Sequence, residues 1–182
     1  MIQEYTDELN NFVQDALKGV HTIVPGRVTS FDADRCEASV MPCGKFRLPN
    51  GKPLDYPLVT GVPVWFPVGG GAAIAYPVRE GDGCLLLTSE VSLELWRSGT
   101  DLGADLRFDL TNAVALVGLP AKPNPLVRES AGLGAVMIES GGARVTLLPG
   151  GVVEIAGAVT IKGTLTVEQD LIVRGQSHLN NS

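Results

Sequence analysis

Few side chains in this 182-residue sequence are of a type that does chemistry, and they are not grouped. The two histidines, His21 and His178, stand at opposite ends of the region that reads as β. Cys36, Cys43 and Cys84 are odd in number and lack the close paired spacing of a zinc site, so they read as reduced thiols of a protein made in the cytosol. Glu80, Asp82, Glu90 and Glu94 are the material of a glycoside-cleaving carboxylate pair. No segment is left over to form a substrate cleft, and solvation at the surface accounts for these charges. Gly69-Gly70-Gly71 lacks the Lys-Ser/Thr and following helix of a phosphate loop and reads as a turn or bulge. No catalytic residue is assigned, and the chain reads as a non-enzyme.

Composition narrows the class further. Hydrophobic residues make up 45% of the chain, enough for a core, whereas only 19% are charged and 5% aromatic. Twenty-two glycines and 12 prolines favour many short strands and turns over long helices. A net charge of −6 opposes a phosphate-binding surface, which needs clustered Lys and Arg, so no nucleic-acid partner is expected. The opening Met1-Ile2-Gln3-Glu4-Tyr5 is polar and acidic, so no signal peptide is expected. No apolar run approaches the ~18 residues of a membrane-spanning helix.

The elements follow from periodicity. Residues 6–18 read as a helix, with Thr6 as N-cap and Leu9, Phe12, Val13, Ala16 and Leu17 as one apolar stripe, expected to dock on its own barrel or on a neighbouring subunit. From residue 20 to 119 the signals are β. Thr22–Phe31 and Glu37–Met41 flank a turn, a Gly/Pro-rich loop fills Pro42–Pro57, and apolar runs follow at Val62–Phe66, Ala72–Tyr76, Cys84–Thr88 and Ala113–Val117. Such a set suits a small Greek-key barrel of the OB type, with a sandwich as the alternative. Phe66, Tyr76, Trp65 and Trp96 read as barrel core or subunit contact. Three prolines within 120–125 predict a stiff, extended connector over 120–132.

The last third is periodic. Four hexads run from Val152 to Gly175, with large aliphatics at positions two and four: Val153/Ile155, Val159/Ile161, Leu165/Val167 and Leu171/Val173. Looser versions precede them at Val136/Ile138 and Val145/Leu147. Alternation puts positions two and four on one face of a short strand, and Gly at position six allows a corner. A single-chain β-helix needs three hexads per coil, so four make barely more than one turn and hide little. Three chains wound about one axis hide all of these side chains, each worth about 1.5–3 kcal/mol on full burial. The repeat therefore predicts a homotrimeric β-prism over 133–175, with 176–182 as its tip. Four layers about 4.8 Å apart make a shaft of roughly 20 Å whose backbone groups are paired internally.

Barrel, connector and prism in this order resemble the central baseplate spikes of contractile phages such as Mu and of R-type pyocins. His21-Thr22-Ile23-Val24-Pro25-Gly26-Arg27-Val28 is similar to that family's opening strand. Val62-Pro63-Val64-Trp65-Phe66-Pro67, Gly69–Gly71 and Pro77-Val78-Arg79-Glu80-Gly81-Asp82-Gly83-Cys84-Leu85 resemble its central signature. Trp96 with Gly99, Arg107-Phe108-Asp109-Leu110 and Ala113–Pro120 resemble its closing segment, where the family has an acid in place of Asn112. The resemblance implies an all-β protein: a short N-terminal helix (1–19), an OB-fold collar (20–119), the connector (120–132), a trimeric intertwined β-helix (133–175) and the tip (176–182). It implies a homotrimer of the virion or tailocin baseplate, held by hub and baseplate proteins through its N-terminal domain and driven through a target outer membrane by sheath contraction. It also implies an apical iron ion. Related spikes carry an H-x-H pair, and here the pattern is His178-Leu179-Asn180, whose first and third side chains point the same way in a strand. Three imidazoles and three amide oxygens would complete an octahedron around the ion.

Two other classes compete. A hexapeptide-repeat acyltransferase also has a β-helical shaft, but carries one large aliphatic per hexad and many more coils. An OB-fold nucleic-acid binder would use a basic groove and stacked aromatics, against which stand a pI of 4.9 and the low aromatic content.

Overall fold

The computed structural model describes residues 2–17, 20–48, 51–100 and 107–176. The chain divides into two units, Met1–Lys122 and Pro123–Ser182.

The first unit opens with helix α1 (Ile2–Leu17), which starts a turn earlier than the Thr6 cap predicts. Its described side chains, Tyr5 and Leu9 among them, are all exposed. Strands β1 (Ile23–Asp32) and β2 (Glu37–Pro42) form the expected hairpin. Its turn is fixed by the Asp32 carboxylate, which accepts from the backbone N–H of Asp34 at 3.0 Å and of Arg35 at 3.1 Å. Strands β3 (Lys45–Arg47) and β4 (Pro53–Asp55) pair as a small hairpin inside the stretch that composition marks as loop. Strand β5 (Val59–Pro63) follows, then a short hairpin of β6 (Val68–Gly69) and β7 (Ala72–Ala73). Gly70 and Gly71, both at positive φ, make its two-residue turn, so the triglycine is a hairpin turn. Strand β8 (Gly83–Thr88), helix α2 (Leu93–Ser98) and strand β9 (Ala113–Val117) complete the unit.

Five of these strands make one antiparallel sheet in the order β5-β2-β1-β8-β9. It curls until its two edge strands meet through a parallel bridge, Val64 to Ala115, and the Trp65 N–H donates to the Ala115 carbonyl at 3.0 Å. Inside lie Val28, Val40, Val62, Cys84, Leu86 and Ala115, all buried. Two devices make the curl possible. Gly26 lets β1 pass close to its neighbours, since a Cβ there would meet Val40 Cγ1 at 2.6 Å. A bulge in β5, with Gly61 at φ 68°, shifts the β2–β5 register, so Val59 and Val62 both face inward although three residues apart.

The second unit holds helix α3 (Pro125–Leu133) and strands β10 (Val136–Ser140), β11 (Ala143–Leu148) and β12 (Val152–Ala156). The helix corrects the expectation of an extended connector over 120–132. Pro125 lacks an N–H where a first helical turn has no use for one, the Asn124 side chain accepts from the Leu126 N–H at 2.9 Å, and Gly134 closes the helix in the left-handed region. The strands form an antiparallel sheet in the order β10-β11-β12. Residues 157–176 hold no strand within the single chain, and all are exposed. Of the hexads, then, only the first is a strand here, and the single chain shows no β-helix among the described residues.

Candidate functional site

The outer surface of the first unit is unusual where the sheet edges meet. In most antiparallel sheets one face is apolar and the other polar, but Cys84–Leu87 and Ala113–Val117 are apolar at every position. Cys84, Leu86, Ala113, Ala115 and Val117 point inward, and Leu87, Val114 and Leu116 therefore lie on the outer face. Trp65 is pinned between them by its backbone bond to Ala115, yet it remains 50% exposed. Beside it runs an apolar groove of 590 Å³ whose walls include Cys36, Val91, Leu93, Trp96 and Val114. Trp96 is 66% exposed.

The far wall is α2, held in place by polar contacts. Ser92 caps it by accepting from the Leu95 N–H at 3.3 Å, and Gly99 ends it at φ 71°. Buried Asn112 clamps the approach: its amide donates to the carbonyls of Val91 at 2.8 Å and Ser89 at 3.3 Å, while its oxygen accepts from the Leu93 N–H at 2.9 Å. Where the resembled family has an acid, this chain uses both ends of an amide, and a carboxylate would lack the two donors. At the other end of α2, Arg97 pairs with Glu37 of β2 at 3.1 Å, and Arg35 pairs with the same carboxylate at 2.9 Å. Arg35 first, then Arg97, hold the buried Glu37 carboxyl below the usual carboxylate range.

The polar residues singled out in the sequence are not brought together. Asp82 accepts from the Arg79 N–H at 2.8 Å within a turn, Glu90 pairs with Arg107 at 3.6 Å, and Glu80 and Glu94 are exposed. His21 stacks edge-on to Tyr56, with ring centroids 5.5 Å apart. Among the described residues no three His, Cys, Asp or Glu side chains are grouped to hold a metal. His178 and Asn180, the expected ligands of an apical ion, lie outside the described residues. Of the four aromatics, Phe66 packs against the core, Tyr76 lies against Phe66 with ring centroids 5.3 Å apart and donates to the Val117 carbonyl at 3.0 Å, and Trp65 and Trp96 face outward. Glu37 carries no mark in the sequence, because a lone polar residue in a strand gives no sign of its partners, and Asn112, marked only as a departure from an acid, gives no sign of its clamp on α2.

The second unit carries a second bare surface. Cross-strand register aligns Val136, Leu147 and Val153 in one row and Ile138, Val145 and Ile155 in the next, all on one face of its sheet. The opposite, polar face carries Arg144, bonded to Glu139 at 2.8 Å and to Glu129 of α3 at 2.6 Å, and Thr146, which is buried. The aliphatic face is open: Val136, Ile138, Leu147, Val153 and Ile155 are each 44–67% exposed.

Both surfaces suit burial against protein. No curated protein matches the chain. The family described as phage protein Gp138 N-terminal domain matches residues 24–118, which cover the curled sheet and the groove. That match spans more than half of the sequence, and the chain belongs to the phage Gp138 N-terminal domain family.

Proposed function

We propose that this protein is a structural subunit of a phage-type tail baseplate, and specifically the trimeric central spike that sheath contraction drives through a target outer membrane. The family supports a phage structural role. The order of the five-stranded sheet, with parallel contact between β5 and β9, supports reading the first unit as an OB-type collar.

The observation that carries the spike is the inverted second unit. Its polar sheet face holds the buried Thr146 and the Arg144–Glu129 pair to α3 while its aliphatic face is bare, and the eight paired aliphatics of the hexads, Val153 to Val173, are 43–67% exposed. An apolar face of that extent, followed along the chain by three more hexads of the same spacing, suits burial against copies of itself. Three copies bring the faces together about one axis and bury every hexad pair. The same geometry leaves a spike no substrate to turn over; it transmits force. In this reading His178 and Asn180 hold one iron ion per trimer at the apex, which elemental analysis and a His178→Ala variant would test.

The deciding experiment is the mass of the purified chain in solution by light scattering. Three times the 19.1 kDa chain mass is expected. A clean monomer at micromolar concentration overturns the reading.

A further inference from the structure

Two features of the first unit are left unpartnered, and each fits the other. Helix α1 presents Tyr5, Leu9, Phe12, Val13, Ala16 and Leu17 on one face, spaced as in a helix that packs on a surface, and all are exposed. A helix of 16 residues is marginal in water without such packing. The groove beside Trp65 is open and lined by apolar side chains. We propose that the α1 stripe of one copy docks into the Trp65–Trp96 groove of a second copy of this chain, a proposal that rests on the trimer put forward above and gives it a second lock.

The charges agree with that pairing. Residues 2–17 contain Glu4, Asp7, Glu8 and Asp15 and no base, so −4 of the chain's net −6 sits in this one helix. Like charge disfavours bundling several α1 helices together. The groove instead offers two guanidiniums, Arg35 before Cys36 and Arg97 after Trp96, beside the acids Glu90, which pairs with Arg107, and Glu94. Both guanidiniums are exposed, whereas the carboxylate they share, Glu37, is buried behind them. An apolar stripe on an acidic helix therefore meets an apolar groove whose edge offers two exposed guanidiniums to its carboxylates. Docking is heterologous, helix to groove, and a heterologous contact repeated around a three-fold axis closes into a ring.

The groove supplies its own probe, because Cys36 lies in its wall. The test places Phe12→Cys in the full chain, with Cys43→Ser to remove the other exposed thiol, oxidises it gently and resolves the products on a non-reducing gel. Covalent dimers and trimers are expected, at least tenfold above those from Asn11→Cys on the opposite helix face, and absent in Cys36→Ser. Ladders that persist in Cys36→Ser would show helices pairing with helices and overturn the proposal. A disulfide within one chain, found by peptide mapping, would place α1 on its own barrel and also overturn it. No crosslink in a sample that light scattering shows to be trimeric sinks the docking alone, whereas a monomeric sample sinks the spike reading with it.

Discussion

Ile155→Asp separates a sheet that is bare by nature from one that is bare only while alone. Ile155 lies opposite Val145 in the β11–β12 ladder and is 57% exposed in the single chain. If the chain works as a monomer, the aspartate forfeits less than half of the 1.5–3 kcal/mol that full burial is worth, about 1 kcal/mol. If three aliphatic faces meet on an axis, the same change sets three carboxylates in a dry core, and each unpaired charge costs several kcal/mol. The trimer should then dissociate. Desolvation in the assembly would raise the aspartate pKa, so assembly should recover as the solution is acidified and the carboxylates are neutralised. The assay is mass by light scattering across pH, with Glu154→Gln, on the opposite face, as control. An Ile155→Asp protein that keeps its trimer at neutral pH, or a Glu154→Gln control that loses it equally, would refute the inward assignment.

The remaining predictions concern the first unit. Gly83→Ala should cost about 1–3 kcal/mol, because a Cβ there would overlap the Leu119 carbonyl, part of a backbone tied to Gly83 by the N–H groups of Gly118 and Leu119. For a chain of this size that is a drop of roughly 2–10 °C in Tm by calorimetry, and an unchanged Tm would contradict the close approach. Glu37→Gln should lower Tm at neutral pH. The folded pKa of Glu37 lies below its unfolded value, so its contribution is present above the unfolded pKa and is lost as pH falls through the folded one. The gap between wild type and Glu37→Gln should therefore close at the acid end, and a constant gap would show that the charge does not matter. Burial, and secondarily Cys43, push the Cys84 thiol up to about 11. A maleimide at pH 8 should label exposed Cys43 in the native chain and Cys84 only after denaturant, and equal rates would refute that burial.

Much of the fold was legible because it is local. The β1–β2 hairpin, β8, β9 and the α1 stripe are written in alternation and helical spacing, which need no knowledge of partners. Helix α3 was legible too and was misread: Asn124-Pro125 is a cap followed by a proline at the first helical position, but counting prolines gave a connector. The β5 bulge was not legible, since Val59 and Val62 share a face only because β2 shifts register opposite Gly61. The groove was hidden for the same reason. Trp65 and Trp96 are 31 residues apart, and what joins them is the meeting of β5 with β9 and the Asn112 clamp on α2.

The apolar residues that fail to find a core within the chain are as informative as those that do. In the first unit the inner positions of β1, β2, β5, β8 and β9, with Val64, Val78 and Leu110, make the core, and the apolar residues left over include one helix face and one groove. In the second unit the described residues bury only Ala135 and Thr146, so nearly all of its aliphatics are left over. A sequence selected for a monomer would have placed Glu154 and Arg144 on the open face and Val153 and Val145 under α3. The reverse arrangement gains stability when the open face closes against something equally apolar and matched in register. In the trimer proposed, three-fold repetition of the same chain would supply that match without a second gene product. The residues with the highest stakes in this protein are therefore not polar groups in a pocket but the valines and isoleucines from 136 to 173, exposed in the chain and, in the assembly proposed, its core.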